Sequence, residues 1–280
     1  MPSPDATRAT RRRYLRTSAA LVGGVGLAGC IISTEPYTET VEQEFDPGDA
    51  EDLAVETEDG DVTLSPGDGD TVSATVEKRS VSGEDALDDV TVEGRVEDGT
   101  LIIAPDRPDR GATVSVSLDL SVPEGLAVTQ VTSSNGEVSA DDVSGDGTYR
   151  TSNGDVDVDG VDGFVTVEST NGDVSASDVG GLDGARTTNG DVTVDAPAVR
   201  QDVTCESTNG DVTVAAPSDL DASVSLRTSN GDAEVSGVAI ETTRSGSRRI
   251  EGRLGGGEDD DPEYELELRS TNGDVTLLGL

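Results

Sequence analysis

The chain has no histidine and no tryptophan, and aromatic residues make up only 2% of its 280 residues. Without histidine, it lacks the imidazole base on which most nucleophilic triads depend. Lysine is nearly absent too, since Lys78 is the only one. The 58 acidic and 19 basic residues give a formal net charge of −39. Such a charge argues against nucleic acid as a partner, because phosphates require a basic surface.

Two kinds of protein carry so large an acidic excess. One is a disordered acidic chain, for which high charge and few aromatics are typical. The other is a folded protein adapted to strong salt, where a Debye length of about 3 Å at 1 M screens the self-repulsion. The valines here recur with a regular period. A disordered chain has no need of such periodicity, so the folded alternative is favoured.

Two cysteines, Cys30 and Cys205, are too few for a disulfide framework or, without histidine, for a zinc site. Cys205 lies four residues before a recurring asparagine. The equivalent positions elsewhere hold apolar residues such as Val167, Ala185 and Leu226. We therefore expect a buried structural thiol rather than a nucleophile.

Residues 1–29 have the pattern of an export signal and are kept apart from the fold. Arg11 and Arg12 lie in Thr-Arg-Arg-Arg-Tyr-Leu-Arg (10–16), which fits a twin-arginine signal at every position. The apolar run at 18–29 is too short to span a bilayer, which takes about 20 residues. It ends in Leu-Ala-Gly-Cys, a lipobox-like sequence that predicts lipidation of Cys30. The alternative is an ordinary signal followed by a cysteine that occurs there by chance.

Three segments are predicted. Residues 1–29 form the twin-arginine lipoprotein signal peptide, and residues 30–52, which are acidic and contain Pro36 and Pro47, form a tether that enters the first strand near Val41. Residues 53–280 form the folded domain, with regular repeats over 133–280. The lipid on Cys30 would hold this domain at the extracellular face of the membrane.

The dominant feature of the chain is an internal repeat, Ser/Thr-Asn-Gly-Asp/Glu-Val, with Ala233 in place of valine in one copy. Its asparagines are Asn135, Asn153, Asn171, Asn189, Asn209, Asn230 and Asn272, at intervals of 18, 18, 18, 20, 21 and 42 residues. The last interval is twice 21, which predicts one coil without its marker. We place that coil at Glu251-Gly252-Arg253-Leu254, and a lone upstream copy at Asp59-Gly60-Asp61-Val62.

Each repeat shows the two-residue period of strands, as where Val156 and Val158 alternate with aspartate. The Asn-Gly pairs mark turns. A meander of hairpins and a solenoid both fit this pattern, and the near-constant period favours the solenoid. We predict an all-β, single β-solenoid of 18–21-residue coils. Its valines would face inward, its asparagines would align along one corner, and its interior would be too narrow for aromatics.

The part of the domain before the repeats is less regular. Strands are predicted at 53–56, 71–77, 90–96, 100–104 and 113–122, with a loop at 105–111. Near the end, a loop at 255–262 precedes a strand at 263–269. A final strand at 275–280 is expected to cap the stack.

The repeats resemble the DUF4097 family of candidate adhesins. The resemblance includes an early Gly60-Asp61-Val62 strand and a Val122-Pro123 step before the repeats, and it covers residues 41–280. It implies a β-solenoid and says little about activity. The scarcity of lysine beside abundant acid resembles proteins of extremely halophilic archaea.

Other chemistry is less favoured by the sequence. Carboxylate pairs can cleave glycosides, but acidic residues are too numerous here to single out a pair. The aspartates after each Asn-Gly are candidate calcium ligands, although the known nine-residue calcium repeat does not match. Arg244, Arg248, Arg249 and Arg253 form the densest basic cluster beyond the signal, either as a docking patch or as internal ion pairs.

The function predicted from the sequence is that of a non-enzymatic, lipid-anchored adhesin or envelope interaction module. It needs no cofactor or metal, and its expected partner is a surface protein or glycan. A surface polysaccharide-active enzyme and an extracellular cation-binding protein are the alternatives.

Overall fold

A computed structural model describes residues 36–107, 114–255 and 262–280. The predicted signal peptide with Arg11 and Arg12, and Cys30 itself, lie outside the described residues, as does most of the two predicted loops. The described part contains one short helix, α1 (Asp85–Asp88). Within these ranges no helix has the length and apolar character needed to cross a membrane.

Every other regular element is a β-strand. In chain order the strands are β1 (Tyr37–Phe45), β2 (Asp52–Glu56), β3 (Val62–Gly67), β4 (Val72–Ser80), β5 (Thr91–Glu97), β6 (Thr100–Asp106), β7 (Val114–Pro123), β8 (Ala127–Thr132), β9 (Val138–Asp141), β10 (Gly147–Arg150), β11 (Val156–Asp159), β12 (Phe164–Glu168), β13 (Val174–Ser177), β14 (Gly181–Asn189), β15 (Val192–Asp195), β16 (Val203–Asn209), β17 (Val212–Ala216), β18 (Ala222–Asn230), β19 (Ala233–Ser236), β20 (Glu241–Gly246), β21 (Arg249–Leu254), β22 (Tyr264–Asn272) and β23 (Val275–Gly279).

The strands form two long sheets that face each other across the core. One has eleven strands in the order β1-β4-β7-β3-β9-β11-β13-β15-β17-β23-β19. The other has twelve, in the order β20-β21-β18-β22-β16-β14-β12-β10-β8-β2-β6-β5. Through the repeats, each coil contributes one strand to each sheet and pairs in parallel with the coils on either side. The predicted β-solenoid is confirmed.

Alternation along each strand creates the core. In β11, Val156 and Val158 are buried, while the two aspartates between and after them are exposed. The prediction that no aromatic fits inside was wrong, because Tyr149 is fully buried. Gly147 provides the room, since a Cβ there would lie 2.7 Å from Cε2 of Tyr149. Burial raises the pKa of Tyr149, whose hydroxyl has no hydrogen-bond partner among the described residues.

The order of coils in space differs from their order in the chain. At the C-terminal end, β22 pairs with both β16 and β18, and β23 with both β17 and β19. The last coil of the chain thus lies between two earlier ones, and it does not cap the stack as predicted. The predicted coil at Glu251-Gly252-Arg253-Leu254 was also wrong. These residues belong to β21, which forms an antiparallel hairpin with β20 beside β18.

The other end is built in a similar way. The coil of β2 and β3 lies between that of β6 and β7 and that of β8 and β9. Antiparallel strands β4 and β1 then extend one sheet, and β5 extends the other. Residues 37–45 form β1, which confirms the strand predicted near Val41, so the predicted tether at 30–52 includes a strand of the fold. Lys78 fastens this strand, since its buried Nζ donates to Glu39 Oε2 at 3.1 Å and to the carbonyl of Leu87 at 3.2 Å.

Candidate functional site

The Asn-Gly turns stack into one corner of the solenoid, where the chain passes from the twelve-stranded sheet to the eleven-stranded sheet. We call this surface the polar corner. It consists of the asparagines of the repeat, the Ser or Thr before each, and the acidic residue two positions after each. The successive positions of the motif make different contacts with the neighbouring coil, and together these contacts hold adjacent turns in register.

The asparagines form one continuous ladder. Each Nδ2 donates to the Oδ1 of the next asparagine at 2.8–2.9 Å, in the spatial order Asn230, Asn272, Asn209, Asn189, Asn171, Asn153, Asn135. The ladder ends where Asn135 donates to Asp59 Oδ1 at 2.7 Å. A carboxylate suits this end, because an ionised carboxylate only accepts hydrogen bonds and has no N–H that would need a further acceptor. Arg107 Nη1 lies 3.7 Å from Asp59 and balances its charge. The predicted alignment of the asparagines is confirmed.

The glycine of each motif is required by close approach of the coils. At Gly172, φ is +150° and a Cβ would lie 2.0 Å from the carbonyl oxygen of Gly154. The same distance is 1.9–2.2 Å throughout the ladder. No side chain fits there, so adjacent turns contact each other backbone to backbone.

A second row of side chains lies under the turn. The hydroxyl of the residue two before each asparagine donates to the motif glycine of the adjacent coil, as Thr151 does to the carbonyl of Gly136 at 2.9 Å and Thr187 to that of Gly172 at 2.8 Å. These hydroxyl residues are buried. Sequence reasoning missed this row, although its signal is plain: Ser or Thr occupies that position in every repeat.

The acidic residue after each glycine also has a structural role. In most of the coils it is an aspartate whose Oδ1 accepts the backbone N–H of the equivalent residue on the next coil, as Asp155 does from Asp173 and Asp173 from Asp191, both at 2.8 Å. Burial, followed by the charges of Asp61, Asp155 and Asp157, raises the pKa of Glu137 in the same row. Across the described ranges, no three acidic or cysteine side chains are grouped so that they could hold a metal ion.

The outer face of the twelve-stranded sheet carries a charged row. Neighbouring strands place Arg150 beside Glu168, Glu168 beside Arg186, Arg186 beside Glu206, and Glu206 beside Arg269. Arg150 lies 3.3 Å from Glu168, and Glu206 contacts both Arg186 and Arg269 at 2.5 Å. This alternation favours parallel stacking, because opposite charges face one another across strands.

At the C-terminal end of this row lies a surface groove of about 510 Å³. We call it the basic groove, and its lining residues are Arg227, Thr228, Ser229, Arg248, Arg249, Arg269, Ser270 and Thr271. It contains two members of the basic cluster seen in the sequence, Arg248 and Arg249. A third member, Arg244, instead lies 3.8 Å from Glu251. Arg253, on β21, does not line the groove.

A second groove, of about 270 Å³, lies near the start of β22 and is lined partly by Asp219, Asp221, Glu263 and Tyr264. A hydrogen bond with Glu263 raises the pKa of Tyr264. The three carboxylates are exposed. A general acid for glycoside cleavage needs a desolvated carboxyl group, so this groove does not present one.

The corner opposite the polar corner is held by Arg200. Its guanidinium lies 4.3 Å from the centroid of the Phe164 ring and contacts Asp146 and Asp183, each at 2.5 Å. The backbone N–H of Phe164 and the side chain of Arg200 lower the pKa of Asp146.

Cys205 is fully buried in β16, as the sequence predicts. Burial raises the pKa of its thiol to about 12. A thiol that stays protonated and enclosed is not a nucleophile.

Comparison with protein-family models matches residues 46–278 to the family described as Toastrack DUF4097. A search of curated proteins finds no sequence that matches the chain.

Several solved structures resemble the chain at low identity. A candidate cell adhesion protein from Clostridium sporogenes is 13% identical with a TM-score of 0.36, and the match covers 88% of this chain and 100% of that one. A candidate adhesin from Bacteroides fragilis is 11% identical with a TM-score of 0.37, covering 86% and 97%. A candidate lipid-binding protein from Parabacteroides distasonis is 15% identical with a TM-score of 0.43, covering 85% and 96%. These values are too low to transfer a function.

Proposed function

Since the chain belongs to the Toastrack DUF4097 family, we propose that it is a non-enzymatic interaction module of the adhesin type, held at the extracellular face of the membrane by a lipid on Cys30. The twin-arginine signal around Arg11 and Arg12 would deliver it. Its partner is a surface protein or glycan, and its acidic surface suits a medium of high salt.

The observation that carries this proposal is the polar corner. Its amides and carboxylates are held by hydrogen bonds from coil to coil, so the exposed polar groups stand at fixed spacings before any partner arrives. Binding to such a surface orders few side chains, and the entropy cost is correspondingly small. A repeated, preorganised surface suits contact with an extended partner better than it suits catalysis.

The position of the first strand supports the anchoring part of the proposal. β1 begins at Tyr37, seven residues after Cys30. Seven residues span at most about 25 Å when fully extended. A lipid on Cys30 would therefore keep the start of the solenoid within that distance of the membrane surface.

Anchoring is tested by Cys30→Ser. We expect this variant to move from the detergent phase to the aqueous phase in phase partitioning, and to lose a lipid-sized mass from its N-terminal peptide. The paired substitutions Arg11→Lys and Arg12→Lys should abolish export, whereas Arg8→Lys, outside the motif, should not. An aqueous, lipid-free wild-type protein would refute the anchor.

The interaction role is tested separately. Beads coated with the exported wild-type protein are mixed with cells of the source organism in concentrated KCl. Retention above that of beads coated with heat-unfolded protein is expected. Equal retention by the two bead types would contradict an adhesin role and leave the anchor unaffected.

A further inference from the structure

The charged row loses its alternation at the basic groove. β22 places Arg269 directly beside Arg227, and β21 places Arg249 on the other side of Arg227. Three guanidinium groups thus occupy adjacent strands, which are about 4.8 Å apart. Like charges in facing positions destabilise a sheet. The arrangement therefore has an unfavourable energy that an anion in the groove would relieve.

Neighbouring carboxylates balance this charge only in part. Arg186, Arg227, Arg244, Arg249 and Arg269 share the three side chains of Glu206, Glu251 and Glu267 in ion pairs. Among the described residues, none forms an ion pair with Arg248. The Nε of Arg227 is buried and has no hydrogen-bond partner among the residues that the structure describes. In a protein with a formal charge of −39, the groove is a local positive site.

The lining also restricts the class of ligand. Besides the arginines it contains only hydroxyl residues, Thr228, Ser229, Ser270 and Thr271, with no apolar or aromatic side chain. A bound peptide usually inserts an apolar anchor, and single-stranded nucleic acid stacks its bases on aromatic rings. Guanidinium groups pair with the oxygens of sulfate and carboxylate, and hydroxyl groups pair with those of sugars.

We propose that the basic groove binds an acidic polysaccharide, whose sulfate or carboxylate groups are held by Arg227, Arg248, Arg249 and Arg269. Sugar hydroxyls contact Ser229 and Thr271. This inference rests on the proposed function, since it names the partner class of the interaction module, but its binding test requires neither the lipid nor a cell surface.

The test measures binding of the full exported chain to dextran sulfate by calorimetry at several KCl concentrations. Affinity should fall as salt rises, because ion pairs are screened. The paired substitutions Arg248→Ala and Arg269→Gln should weaken binding roughly ten-fold or more. Arg150→Gln is the matched control, since it lies in the same row beside Glu168, outside the groove, and should leave affinity unchanged. The melting temperature of each variant shows that it is folded.

Neutral dextran and polyglutamate complete the test. The proposal predicts that neutral dextran does not bind and that polyglutamate binds more weakly than dextran sulfate. Equal binding of polyglutamate would overturn the assignment to a glycan, and equal loss from Arg150→Gln would overturn the assignment to the groove. Absence of dextran sulfate binding would refute this inference alone, whereas failure of the bead assay would refute the interaction role.

Discussion

Replacement of Gly172 by alanine tests the backbone contact that determines the spacing of the coils. A Cβ at this position would lie 2.0 Å from the carbonyl oxygen of Gly154, more than 1 Å inside ordinary contact, and φ is +150°. The left-handed backbone costs about 1–2 kcal/mol for a residue with a side chain. Relief of the overlap costs about 1–3 kcal/mol more. The hydrogen bond from Thr187 to the carbonyl of Gly172 is displaced as well.

We therefore expect Gly172→Ala to lower the free energy of unfolding by about 4 kcal/mol. At about 2–4 °C per kcal/mol for a protein of this size, the melting temperature should fall by roughly 8–16 °C. The assay is thermal unfolding followed by circular dichroism in concentrated KCl, with salt held constant between variants.

Gly184→Ala is the matched control for this substitution. Gly184 lies in β14 of the same stack, and a Cβ there would meet no atom closer than 3.9 Å. Alanine loses less conformational entropy than glycine in a strand, so this variant should be stabilised by about 0.5 kcal/mol. If Gly172→Ala melts within about 3 °C of the wild type, the coils are not in backbone contact at this corner and the explanation of the motif glycine is wrong.

Three further outcomes are expected. Asn171→Asp should destabilise the folded protein by about 2 kcal/mol, because the new carboxylate would face the Oδ1 of Asn153. Asp59→Asn, at the end of the ladder, should change the melting temperature little. Equal effects of the two substitutions would refute the ladder. In a Cys30→Ser background, the thiol of Cys205 should resist maleimide in the native state through alkaline pH, because its pKa is about 12, and should react on unfolding; rapid native labelling would contradict its burial. The pKa of Asp146 is lower in the folded state than in the unfolded state, so its ionised carboxylate stabilises the fold at neutral pH. That stabilisation is lost as the pH falls through the folded-state pKa. Asp146→Asn should therefore reduce the loss of melting temperature on acidification, and an unchanged acid profile would count against the contact with Arg200.

The arrangement of side chains within a coil could be predicted from the sequence. Whether a residue faces the core, the turn or solvent depends on its distance along the chain from the repeated asparagine. The two-residue alternation around Val156 gives the inward face, and the recurrence of asparagine gives the aligned ladder. The inward position of Cys205 follows from the same register. The buried hydroxyl row followed the same rule and could have been found by reading one residue further from the asparagine.

The order of the coils could not be predicted in this way. Every coil carries nearly the same motif, so each can pair with any other, and nothing in the motif says which coils become neighbours. The interval of 42 residues suggested a coil without its asparagine. In the structure this interval contains the hairpin of β20 and β21, after which the chain continues into β22, between β18 and β16. The sequence identified Arg248 and Arg249 of the basic groove as part of a basic cluster, but not the rest of its lining, because Arg269 lies beside Arg227 only through this rearrangement.

The interleaved last coil has a consequence for the time course of synthesis. β22 and β23 leave the ribosome after every other strand, and yet they must fill a place between coils made earlier. Until they do, the open edges of β16 and β18 carry matching motifs and can join each other, which is a trap that sequential stacking would avoid. The native arrangement can therefore be completed only after β22 and β23 have been synthesised. A secretion route that accepts finished, folded cargo suits such a protein better than one that threads the nascent chain.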